Sequence, residues 1–154
     1  MRTCDRAFIE RIRDAGFPVG PKSANLTIPS SVLRAPRTVR AAFLRGVFAT
    51  DGTAYSARIN NEPVARYPII ECSSISRVFI EEITALLEDL GINAYYWNSK
   101  RTGIRSPHPL WTVRISGEMR TKHFSERVGL SNPKMKRTTF KNGLNRLEDR
   151  AAIA

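Results

Sequence analysis

Ala42 to Thr53 reads AFLRGVFATDGT and closes a longer segment, Leu33 to Thr50 (LRAPRTVRAAFLRGVFAT). Val39, Phe43 and Val47 recur there with Ala42 and Gly46 at spacings of three and four, the period of one helical face. Pro36 suits a first turn, so the helix is expected to begin near it, and Gly52 is expected to supply its C-terminal cap. Asp51 is out of place on that reading. A carboxylate at the negative end of a helix macrodipole is disfavoured by several tenths of a kcal/mol, about 0.3–1. Gly46 and Thr50 stand one turn apart on one face, a spacing that lets two helices approach closely, and two such helices would bring two Asp51 carboxylates together. Carboxylates held that close call for a cation between them. Magnesium suits, because its oxygen coordination takes carboxylates, backbone carbonyls, water and phosphate oxygens, as in metal-assisted phosphodiester hydrolysis. A bare Asp-Gly pair is also an ordinary turn signal.

Outward from that segment, Thr53 to Ile59 and Val64 to Cys72 read as a hairpin around Asn60, Asn61, Glu62 and Pro63. Ser73 or Ser74 is expected to cap a second helix, whose apolar stripe includes Val78, Phe79, Ile83, Leu87 and Leu90 and ends at Gly91. Ile92 to Ser99 (INAYYWNS) and Leu110 to Ser116 (LWTVRIS) form a second hairpin, and Glu118 to Val128 a third helix closed by Gly129. A basic turn from Asn132 to Arg137, with Lys134, Lys136 and Arg137, precedes a terminal helix marked by Phe140, Leu144 and Leu147. The order predicts an α+β unit, αββαββα, with helices on one face of a curved antiparallel sheet. The other face is left to its alternating polar set: Ser56, Arg58, Arg66, Thr112, Arg114 and Ser116. Such a face is either a solvated surface or one that fits the DNA major groove, with Lys100, Arg101 and Arg105 extending it in the intervening loop.

The chain has 154 residues, 25 Lys plus Arg against 14 Asp plus Glu, and a net charge of +11. One domain is the natural expectation at that length, residues 31–154, preceded by a helix and extended lead-in over residues 1–30. At 42% hydrophobic content it can bury a core, which a disordered basic tail cannot. Eleven Lys and Arg against two acids between Lys100 and Lys141 leave a local charge of +9, which points to a polyanionic partner. No run is long and apolar enough to span a bilayer and the start carries charges where a signal peptide needs an apolar stretch, so an intracellular protein is expected. Cys4 and Cys72 stand alone, and His108 and His123 are the only imidazoles, so structural zinc is not expected. AGFPVGPK (Ala15 to Lys22) echoes VGLSNPK (Val128 to Lys134), which would make the lead-in a remnant of an earlier copy of the unit.

LRGVFATDG, Leu44 to Gly52, resembles the LAGLIDADG signature of homing endonucleases, keeping its leucine, its central glycine and the closing Asp-Gly. KSANLTIP before the helix, LLEDLGI, and WTVRISG leading to FSERVGL and a lysine follow in the family's order. Ala49 stands for the motif's first Asp, Arg45 for alanine and Thr50 for a small crossing residue. The resemblance implies a site-specific double-strand DNA endonuclease, an agent of intron or intein mobility, in which two motif helices pack at a twofold axis. It makes Asp51 the ligand of Mg2+, or of Mn2+ or Ca2+ in its place, with the Thr50 carbonyl beside it. Lys134, with Lys22 as its echo, corresponds to the lysine that polarises solvent. With one motif in the chain, the partner is a second copy or a missing first half, and Val39, Phe43, Gly46, Val47 and Thr50 would form that interface. The alternative is a DNA- or RNA-binding protein of the same fold that does not cut: a regulator, a maturase or a degenerate half.

Overall fold

The computed structural model describes residues 6–16, 24–57, 67–99 and 109–131. The N-terminal helix α1 (Arg6–Asp14) has no buried residue and is followed by the single turn α2 (Ser30–Leu33) and the long helix α3 (Arg37–Asp51). Strands β1 (Gly52–Ala57) and β2 (Tyr67–Ser74), helix α4 (Arg77–Asp89), strands β3 (Tyr95–Ser99) and β4 (Leu110–Ser116), and helix α5 (Glu118–Arg127) complete the order. The four strands form one antiparallel sheet in the order β1-β2-β4-β3. The expected α+β arrangement holds, and the expected terminal helix lies outside the described residues.

Helices α3, α4 and α5 cover one face of the sheet because each carries an apolar stripe at helical spacing. Leu44 and Phe48 of α3, Ile80, Ile83 and Leu87 of α4, and Phe124 of α5 close on Ile70, Cys72, Val113 and Ile115 of the two central strands. Phe48 meets Phe124 edge-on with ring centroids 4.9 Å apart, which ties the last turn of α3 to α5. The extended lead-in joins this core: Ile28 is buried, its N–H donates to Glu82 Oε2 at 2.6 Å, and the Leu26 carbonyl accepts from Ser76 Oγ at 2.6 Å.

Several boundaries differ from expectation. The cap of α4 is Ser76, whose Oγ accepts from the Phe79 N–H, and not Ser73 or Ser74, because β2 continues to Ser74 in register with Trp111 of β4. Gly91 closes α4 as expected, at φ +73°, with the Ile92 N–H reaching back to the Leu87 carbonyl at 2.9 Å. Gly52 caps α3 as expected, its N–H bonded to the Phe48 carbonyl, but not in the left-handed conformation. Its backbone is extended (φ −84°, ψ 155°), and a Cβ placed there would lie 2.3 Å from the Phe48 carbonyl oxygen. Helix α3 therefore runs into β1 with no loop, and only a residue without a side chain clears its last turn.

Arginines from other elements finish the helix ends. Arg37 Nη2 donates to the Asp89 carbonyl at 2.5 Å, Arg40 pairs with the Asp89 carboxylate at 3.0 Å, and Arg127 Nη1 donates to the Leu90 and Gly91 carbonyls at 2.6 and 2.8 Å. Arg45 Nε does the same for the Val128 carbonyl beyond α5, at 2.6 Å. Cations at helix C-termini complement the dipole and the orphan carbonyls, and here they stitch α3 and α5 to the end of α4.

Gly52→Ala is expected to cost roughly 1–3 kcal/mol, the range for overpacking, since the obstructing atoms are backbone; chemical denaturation of the two proteins measures it. The thiol of Cys72, 1% exposed, is pushed up from its ordinary 9.0 to about 12, by burial first and by the Asp51 charge second. A raised thiol pKa favours the folded state while the group stays protonated, so stability should fall as pH rises from about 9 towards 12, by up to about 1.4 kcal/mol per pH unit. Unfolding midpoints should decline less steeply across that window in Cys72→Ala.

Candidate functional site

Asp51 is the last residue of α3, exposed, and directly followed by the edge strand β1. Two anchors hold it there: the Phe48 ring against Phe124 one turn earlier, and the Gly52 N–H bonded to the Phe48 carbonyl just after it. Thr50 is exposed too, and its hydroxyl donates back to the Gly46 and Val47 carbonyls at 3.3 and 3.1 Å, so the side chain is tied to its own helix. The Thr50 carbonyl lies among the last four of α3, those a helix end leaves without an intrahelical partner. Among the described residues no group of three or more His, Cys, Asp or Glu could hold a metal ion. Among the described residues one chain therefore offers at this corner the Asp51 carboxylate and neighbouring carbonyls, donor types a hard cation takes but not a complete set.

The face of α3 opposite its core stripe is open. Val39 is 47% exposed, Ala42, Gly46 and Thr50 are exposed, and a Cβ added at Gly46 would meet nothing within 4 Å. Phe43 and Val47 differ from that set: both are partly buried and pack against the core cluster, contributing only their outer edges to the helix surface. A second helix laid on this face would meet small side chains, which permits a close crossing.

The sheet face turned away from α3, α4 and α5 is set by strand register. Thr53, Glu71, Arg114 and Tyr95 form one row across all four strands. Tyr55, Ile69 and Ser116 form the next, and Ser73, Thr112 and Trp97 flank the first on its other side. Ser56 does not belong to it. It stands opposite Pro68 on the side of Ile70 and Cys72, because β1 begins at Gly52 and that start decides which alternate residues face the helices. Thr112 is on the outer face but only 5% exposed, sharing a 2.8 Å hydrogen bond with Ser73, so it is a structural bridge between strands. Ser116 is half-buried beside Ile69. Arg58, Arg66, Lys100, Arg101, Arg105, Lys136 and Arg137, and the lysines Lys22 and Lys134, lie outside the described residues.

Arg114 is the centre of this face. Its Nε donates to Glu71 Oε1, its Nη2 to the Tyr55 hydroxyl at 3.2 Å, and its guanidinium lies 4.6 Å from the centroid of the Trp97 ring. Tyr95 stacks on Trp97 at 5.7 Å and is 45% exposed. Burial opposes the Arg114 charge, but the hydrogen bonds to Glu71 and Tyr95 and the Glu71 carboxylate outweigh it and hold its pKa above the ordinary value. Burial, then Glu71, raises the Tyr55 phenol. Glu71, Tyr55, Tyr95 and Trp97 were not among the residues expected here; the alternation of INAYYWNS carried the signal for the last two.

Residues 38–129 match the model of the LAGLIDADG-like domain. A tRNA-splicing ligase RtcB from Methanopyrus kandleri is 26% identical over 133 residues, which cover 84% of this chain and 13% of that protein. A DNA polymerase from Thermococcus sp. (strain GE8) is 33% identical over 128 residues, 75% of this chain and 7% of that protein. The chain thus spans only a small part of the length of either relative. No helix among the described residues is long and apolar enough to cross a membrane. Since the family match runs from the start of α3 to just past α5 and covers more than half of the sequence, this chain belongs to the LAGLIDADG-like family.

Proposed function

We propose that the chain is a site-specific double-strand DNA endonuclease that works as a pair of motif helices, two copies of α3 meeting along Val39, Gly46 and Thr50. The observation that carries this is the exposed Asp51 at the end of a helix whose outer face is small and open. Paired across a twofold axis, two such helix ends supply two carboxylates and their adjacent Thr50 carbonyls, a donor set suited to Mg2+ or another divalent cation. When bound, the metal supplies Lewis acidity at the scissile phosphate. Lys134, or its echo Lys22, would polarise the attacking water.

The remaining features support a DNA partner. The local +9 between Lys100 and Lys141 supplies attraction to phosphate, and the outer sheet face supplies directional groups. A domain that shares sequence with short parts of two differently named proteins fits an inserted, mobile element, as intein or intron mobility requires.

Asp51→Asn is expected to abolish Mg2+-dependent cutting of target DNA, with a loss of at least about a hundredfold, while DNA retention in gels survives. Retention without any cutting by the wild-type chain would instead favour the reading as a regulator, maturase or degenerate half. If about six to ten phosphates are neutralised, affinity should drop by roughly 10³–10⁵ between 50 and 200 mM salt. A flat salt response, or a strict monomer on DNA by solution mass, contradicts the paired nuclease.

A further inference from the structure

We infer that Arg114 reads a guanine, with Glu71, Tyr55 and Trp97 as its positioning residues, and that it is not a phosphate contact. The inference rests on the DNA reading above and goes beyond it by assigning one base to one side chain. Its first support is charge. Arg114 and Glu71 are paired with side chains 28% and 17% exposed, so beyond a Debye length of about 10 Å they act as a neutral unit and add little to the pull on phosphate. A carboxylate embedded in the same spot repels phosphate, which is the opposite of what a backbone-binding patch requires.

The second support is geometry. A guanidinium carries five N–H donors in one plane. Glu71, Tyr55 and Tyr95 take at most three of them among the described residues, which leaves donors for a ligand. Trp97 lies against the guanidinium at 4.6 Å, and Tyr95 in turn stacks on Trp97 at 5.7 Å, so the side chain is ordered before any partner arrives. A side chain already held in place loses less conformational freedom on binding. Guanine presents O6 and N7 in the major groove, and the arginine fork onto those two acceptors is the commonest specific contact. The central position of β4 in the sheet sets this group in the middle of the face rather than at its rim.

The test is selection of bound duplexes from a randomised pool with the full chain, followed by salt titration of binding. The wild-type chain should select guanine at one position of each half-site by roughly tenfold to a hundredfold over other bases. Replacing Arg114→Gln and Glu71→Gln together keeps the net charge, so it should abolish the guanine preference at that position while leaving the salt slope unchanged. Glu71→Gln should weaken the guanine preference and, by freeing a net positive charge, steepen the slope of log affinity against log salt by about one unit. That change of slope is a readout a merely structural role would not move, and unfolding midpoints of each variant confirm that it is folded. A selection without guanine, a guanine preference intact in the double variant, or an unaltered slope in Glu71→Gln overturns the assignment and leaves DNA binding standing. A wild-type chain not retained on duplex DNA removes both.

Discussion

The close approach between Gly52 and the last turn of α3 is the constraint from which the rest of the architecture follows. Because the helix passes into β1 without a connecting residue, the direction of α3 fixes where the edge strand starts. The start of β1 in turn fixes which alternate residues face the helices and which face outward. The same junction leaves Asp51 at an exposed corner, ahead of the sheet and at the end of the open helix face. A carboxylate there costs some stability against the helix dipole, and burial of Leu44 and Phe48 offsets it many times over. The Asp-Gly pair is thus two devices in sequence: a glycine that geometry demands and an acid that geometry tolerates.

Much of this was legible in the residues. The stripe of α4 shows why: Phe79, Ile83 and Leu87 recur at four-residue spacing, and all three are buried. What sequence could not carry was long-range geometry. Ser73 and Ser74 are good caps on paper, but pairing with β4 extends β2 through both and leaves the cap to Ser76. Ser56 alternates with Arg58 as though both faced outward, yet the phase of β1 comes from the α3 junction and puts Ser56 on the helix side. No local pattern ties Glu71 to Arg114, which lies 43 residues away, and only sheet order brings the two together.

The arginines divide into two uses that composition cannot distinguish. Arg37, Arg40, Arg45 and Arg127 are occupied with carbonyls and a carboxylate at helix ends, and Arg114 with Glu71. The formal +11 already sets Glu71 and Asp89 against Arg114 and Arg40, but the local +9 between Lys100 and Lys141 counts Arg114 without Glu71 and so overstates the charge that segment offers a polyanion. A basic balance is an upper bound on electrostatic attraction until each cation's internal duties are known.

The lead-in ahead of α2 has a bearing on what counts as the smallest transplantable piece. Family similarity begins at residue 38, but the Leu26 carbonyl and the Ile28 amide are bonded to Ser76 and Glu82 of the α4 region. A graft cut at the similarity boundary would strip the hydroxyl and the carboxylate of those partners and uncover the side of the core that Ile28 seals. The physical module is longer at its N-terminal side than the recurring sequence pattern, and any recombination, natural or engineered, that respects only the pattern inherits that defect.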